Sequence, residues 1–139
     1  EFINLNLNSH IIITRLLLPY FKTNNNGFLI YIGSEASYKV GKYGSIYSAC
    51  KFGLRGFVKS IRIETSLNNI RVTQINPGIV KTPFYNNLKI SPGIEHDEFI
   101  EPNDISDVII DVLKIRKGTV IDEINLTSQK QIVTFKSKN

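Results

Sequence analysis

The sequence carries one cysteine and two histidines in 139 residues. A lone Cys50 cannot close an internal disulfide, so nothing points to an oxidising compartment and a cytoplasmic location is expected. A cysteine-built metal site is excluded. His10 and His96 have no Cys, Asp or second His at ligand spacing, and both read as surface or loop histidines. Apolar runs are short: Ile11–Ile13 and Leu16–Leu18 are split by Thr14 and Arg15, far below the roughly 20 residues of a membrane span. The opening Glu1-Phe2-Ile3-Asn4 has no Met, no basic n-region and no signal-peptide cleavage pattern. Blocks of like charge are also absent. Seventeen Lys and Arg against twelve Asp and Glu leave +5, but the cations are scattered and no aromatics interleave with them. Neither a nucleic-acid nor a membrane partner is expected.

The remaining composition, 42% hydrophobic and 21% charged, is that of one ordinary folded domain. Leu5 to Phe21 reads as a helix apolar on more than one face, hence buried on two sides, with Pro19 near its end. Asn24-Asn25-Asn26-Gly27 is a turn. Phe28–Ile32 is a short continuous apolar run, as in a strand of a parallel sheet buried on both faces. A loop from Gly33 to Ser45 precedes a long helix, Ile46–Leu67, whose Cys50, Leu54, Phe57, Val58 and Ile61 share one face. Gly53 and Gly56 inside it predict close helix packing. Asn68-Asn69 turns into a strand, Ile70–Ile75, ended by Pro77-Gly78. Ile79–Glu101 is a long polar connection. Pro102-Asn103-Asp104 opens a last helix to about Lys114, with Asn103 or Asp104 as N-cap and Val108, Ile109, Val112 and Leu113 inward. Thr119–Leu126 is a last strand, and residues 127–139 form a flexible tail. Helix and strand alternate, which predicts an α/β fold with a doubly wound parallel sheet in three layers.

Tyr47 and Lys51 stand four apart near a helix start, on one face. An ammonium beside a phenol favours the phenolate and brings the tyrosine nearer to a working pH. Ser34 lies at the C-terminal end of a strand, where open α/β sheets bind ligands. Pro77-Gly78 leaves the next strand on the same edge. Cys50 reads as a small buried hydrophobe, and Glu35 as a solvated loop charge rather than a cleft residue.

Together, Asn6 in LNLN, Ser34 in LIYIGSEAS, Tyr47 and Lys51 in YSACK, and INPGIVKTPF resemble the short-chain dehydrogenases/reductases over nearly the whole chain. The resemblance implies a Rossmann-like fold and an NAD(P)-dependent oxidoreductase acting on a small-molecule carbonyl or alcohol, with NADP slightly preferred. It also implies roles. Tyr47 would exchange the substrate proton. Lys51 would lower the tyrosine pKa and hold the nicotinamide ribose. Ser34 would hold the substrate oxygen, and Asn6 a relay water. Pro77, Gly78, the Val80 main chain and Thr82 would meet the nicotinamide carboxamide. The family's glycine-rich phosphate loop does not occur in this sequence. By the resemblance, 1–139 is a single partial domain lacking the N-terminal dinucleotide-binding units. Two expectations follow: the C-terminal part of a complete enzyme, assembling as a homodimer or homotetramer through its two long helices, or a silent truncated product that acts at most as an interaction module.

Overall fold

The computed structural model describes residues 1–136. The helix that opens the chain begins with a π-helical turn, Asn4–Asn8, and continues as α1, Ser9–Thr23. Pro19 does not stop it. The helix runs one further turn, and the Thr23 hydroxyl donates to the Pro19 carbonyl at 3.0 Å. Asn25 then takes a left-handed conformation, φ 46°, which asparagine tolerates better than most residues. Strand β1, Gly27–Ile32, follows. A 3₁₀ turn, Glu35–Ser37, leads to α2, Ser45–Glu64. The helix stops at Glu64, short of the expected Leu67; Ser66–Asn68 form a separate 3₁₀ turn that closes at Asn69 with φ 52°.

Strand β2, Ile70–Pro77, pairs in parallel with β1, from Gly27 opposite Ile70 to Ile32 opposite Ile75. The long connection after it is not featureless. It holds a 3₁₀ turn, Pro83–Tyr85, and β3, Ile90–Pro92. Helix α3, Pro102–Lys114, comes next. Its N-cap is Glu101, not Asn103 or Asp104; Asp104 instead accepts the Glu101 N–H at 2.8 Å. Val112 is buried, but Leu113 is half exposed and lies outside the inner stripe of Ile105, Val108, Ile109 and Val112. Strand β4 covers Glu123–Leu126 only, and pairs in parallel with β2. Within the expected tail, β5, Val133–Phe135, pairs antiparallel with β3; residues 137–139 lie outside the described residues. The main sheet has the order β1-β2-β4, all parallel.

The core forms where α2 meets β1 and β2: Leu54, Val58 and Ile61 against Tyr31, Ile70 and Val72, with Leu7, Leu18 and Phe21 packed alongside. Fully burying one such aliphatic side chain contributes about 1.5–3 kcal/mol. Gly53 lets the first helix approach, since an added Cβ would stand 3.3 Å from Leu7, while Gly56 has open space around it. The expected second buried face of α1 is not buried. Ile12, Ile13, Leu16 and Tyr20 are exposed, because the sheet and α2 cover only the side carrying Thr14 and Leu18, and nothing else among the described residues reaches the other. No described helix is long and apolar enough to cross a membrane.

Candidate active site

Three chain segments converge at the C-terminal edge of the sheet. The first is the exit from β1. The Gly33 N–H donates to the Ile75 carbonyl at 2.7 Å, holding the two strand ends together. Ser34 is extended, and its Oγ accepts the Ala36 N–H at 3.1 Å. This anchors the serine at the mouth of the 3₁₀ turn.

The second segment is the start of α2. Tyr47 sits in its first turn and faces the Ser34 hydroxyl. Its ring lies 6.3 Å from that of Phe2 and 6.5 Å from that of Phe84. Lys51, one turn on, is buried, and its Nζ stands 5.5 Å from the Tyr47 ring centroid. The expected lowering of the Tyr47 pKa by Lys51 is not found. Burial raises the phenol above its ordinary value, the Ser34 hydroxyl opposes this, and the Glu35 charge adds to it. The physical reason is the approach of Lys51 to the ring face and the aromatic packing around the phenol. Burial in turn lowers the Lys51 pKa, with an opposing contribution from Cys50, and among the described residues no carboxylate pairs with this ammonium. Cys50 is itself buried.

Asn6 lies in the π-helical turn, a feature that recurs at functional sites, and its amide donates to the Phe2 carbonyl at 3.1 Å. One turn on either side of it, Phe2 packs on Tyr47 and His10 feels the Lys51 charge. His10 is therefore not a surface histidine. It is half-buried, and burial first, then Lys51, lowers its pKa. His96 is exposed in its loop, as read.

The third segment leaves β2. The Gly78 N–H donates to the Leu126 carbonyl at 2.8 Å. Val80 bridges Ile100, the Lys81 N–H donates to the Ile100 carbonyl at 2.9 Å, and Thr82 Oγ1 lies 3.5 Å from the Val80 carbonyl. Sequence reasoning overlooked Tyr85. It packs edge-on to Phe84 at 5.1 Å, and its phenol is pushed up to about 12 by burial, by Tyr47 and by Glu35, against a hydrogen bond at the Val80 main chain. Glu35, read as a solvated charge, is paired with Lys39 at 3.5 Å but also turns toward the site: an added Cβ at Gly78 would stand 3.6 Å from its Oε2. Thr82 and Tyr85 line a pocket of about 300 Å³ with Lys81, Asn86, Pro92 and Lys136.

Sequence reasoning also overlooked a buried polar cluster beneath the edge, made of Ser37, Gln74, Asn76 and Glu123. The available signal was two amides, Gln74 and Asn76, two positions apart at the end of a strand read only as far as Ile75, since i and i+2 share a face. Among the described residues no group of three or more His, Cys, Asp or Glu could hold a metal ion.

A family model described as short chain dehydrogenase matches residues 1–92. The chain is 31% identical over 127 residues to a sepiapterin reductase of Chlorobaculum tepidum, covering 88% of this chain and 49% of that protein. It is 32% identical over 114 residues to an NADP-dependent 3-hydroxy acid dehydrogenase of Schizosaccharomyces pombe, covering 78% and 44%. In structure it is similar to an alcohol dehydrogenase from the archaeon Thermococcus sibiricus complexed with 5-hydroxy-NADP. The TM-score is 0.80 at 25% identity, over 94% of this chain and 53% of that one. The chain thus spans about half the length of the curated relatives it matches. With the match running from the first helix through both strand ends that carry the candidate residues, the chain belongs to the short-chain dehydrogenase family.

Proposed function

We propose that the protein interconverts a small-molecule carbonyl and alcohol with an NAD(P) cofactor, and that Tyr47 moves the proton. The observation that carries this reading is the meeting of Ser34, Tyr47 and a buried Lys51 that, among the described residues, pairs with no carboxylate. A buried ammonium without a counter-charge is costly, and its unused donors suit the hydroxyls of a ribose. Lys51 and Tyr47 would hold that ribose. The Val80 main chain, Thr82 and the Pro77-Gly78 turn would hold the carboxamide. The nicotinamide cofactor, when bound, supplies or accepts the hydride. An NADP-dependent relative and a relative bound to an NADP derivative favour NADP.

A phenol held above its ordinary pKa is protonated at neutral pH, so Tyr47 is set to donate to a carbonyl oxygen, the direction of reduction. Ser34 orients that oxygen toward the phenol. Lys51, with its proton loosened by burial, resupplies Tyr47, and Asn6 opens the relay to water. Phe2 and Phe84 pack on the Tyr47 ring and Phe84 on Tyr85, and the pocket shared by Thr82 and Tyr85 offers room for part of a small substrate. Assembly as a homodimer or homotetramer would cover the exposed apolar face of α1.

The test is steady-state kinetics beside cofactor titration, on the protein expressed from its complete reading frame. Tyr47→Phe is expected to abolish turnover and leave cofactor binding nearly intact. Lys51→Ala is expected to damage both. Equal, small losses in the two variants contradict the roles.

A further inference from the structure

Asn76 is fully buried at the end of β2, directly before the Pro77-Gly78 turn. Its amide joins the elements that bear the site. Oδ1 accepts from Gln74 Nε2 at 2.7 Å and lies 3.0 Å from Ser37 Oγ. Nδ2 donates to Glu123 Oε1 at 2.7 Å and to Asn125 Oδ1 at 3.0 Å, both on β4. Ser37 belongs to the turn that Ser34 opens, and its hydroxyl also reaches the Ser34 carbonyl at 2.7 Å. A hydroxyl has one proton, so Ser37 serves one of these two acceptors at a time. Glu123 is held in turn by Arg55, whose Nη2 donates to Oε2 at 3.0 Å. Arg55 lies one turn beyond Lys51 on α2. Gly33, next to Ser34, rests against the same amides: an added Cβ would stand 2.5 Å from Gln74 Nε2 and closer still to Asn76 Oδ1.

One side chain thus contacts the Ser34 turn, the strand that delivers Val80 and Thr82 and, through Glu123 and Arg55, the helix that carries Tyr47 and Lys51. Hydrogen bonds are directional, so a buried network of them fixes the relative geometry of the elements it joins; Gln74 Oε1 is the acceptor in this network left without a partner among the described residues. We infer that Asn76 is a positioning residue of the reaction, setting where Ser34 stands relative to Tyr47 without touching substrate. The inference rests on the reading that Ser34 and Tyr47 carry the chemistry.

A misplacement near 1 Å at a reacting group costs on the order of a hundredfold in rate. The experiment is a double-substitution cycle on the protein from its complete reading frame: Asn76→Ser, Ser34→Ala and the pair. Asn76→Ser is expected to lower kcat by about ten- to a hundredfold while KM for the cofactor stays within about twofold. In the Ser34→Ala background the same substitution is expected to change kcat by less than about twofold, since a displaced serine that is already gone cannot be displaced. If the full loss persists in that background, or if Asn76→Ser leaves kcat untouched, Asn76 is a stability residue and the inference falls alone. If Ser34→Ala itself leaves kcat unchanged, the reading of the site falls and this inference with it. Should Asn76→Ser fail to fold, Ser37→Ala, which removes a single hydroxyl from the same link, carries the same expectation and the same refutation.

Discussion

Substituting Gly33 by alanine sets two effects of opposite sign against each other. Gly33 does not use a left-handed conformation, so alanine can adopt its backbone, and the reduced freedom of the unfolded chain would stabilise the protein by about 0.4–1 kcal/mol. Against this, the added methyl would stand 2.5 Å from Gln74 Nε2 and closer still to Asn76 Oδ1. Neither amide can yield freely. Both are buried, they are bonded to each other at 2.7 Å, and Asn76 is also held by Glu123 and Asn125. Overpacking of this kind costs about 1–3 kcal/mol, and a buried amide pushed off its partner costs about 1–3 kcal/mol more. The steric term wins, and Gly33→Ala is expected to destabilise by about 1–5.5 kcal/mol, a large share of a domain's usual ~5–15 kcal/mol. With no tryptophan in the sequence, urea unfolding followed by far-UV circular dichroism is the assay; the midpoint should fall at constant slope. In an Asn76→Ala background the contact with Oδ1 is gone and Gln74, released from its bond to Asn76, can swing away from the methyl, so the cost should drop below about 1 kcal/mol. A loss under about 0.5 kcal/mol in the parent protein, or an undiminished loss in the Asn76→Ala background, refutes the reasoning.

Glu35→Gln removes a negative charge that holds the Tyr47 phenol up. The Tyr47 pKa should fall, and the alkaline limb of the kcat profile for carbonyl reduction should move to lower pH; a limb that stays put or moves upward contradicts the placement of Glu35. Lys51→Met should abolish turnover yet raise stability at neutral pH by about 1 kcal/mol, by removing a buried ammonium. Because the Lys51 pKa is lowered on folding, its penalty is present at neutral pH and fades as pH rises toward 10.5, so the thermal midpoints of the two proteins should converge there. Parallel curves argue against burial of the charge. Tyr85 titrates at about 12 in the fold against an ordinary 10.0, so it contributes stability below pH 10 that is lost as pH climbs to about 12. Tyr85→Phe should flatten the fall of Tm over that window, and an equally steep fall would show that Tyr85 is solvated.

The sequence by itself determined the three helices and the parallel strands. Short-range periodicity carries that information: the stripe of Cys50, Leu54, Val58 and Ile61 marks α2, the apolar run before Ser34 marks a parallel strand, and the four-residue step from Tyr47 to Lys51 places both on one helix face. What sequence could not show depends on groups distant along the chain. Ser37, Glu123 and Asn125 lie 39, 47 and 49 positions from Asn76, so no local window contains the network. The direction of the Tyr47 shift was not legible because burial and the Glu35 charge set it, and the rings packed on Tyr47, Phe2 and Phe84, come from segments distant along the chain. Strands β3 and β5, three residues each, have no pattern of their own and exist through their mutual pairing. The second apolar face of α1 was legible as apolar, but whether it is covered is a property of what surrounds the helix. Local backbone preference repeats over a few residues and can be read from them. Burial, charge environment and hydrogen-bond partners are set by which distant segments the fold brings together, and only the tertiary structure decides those.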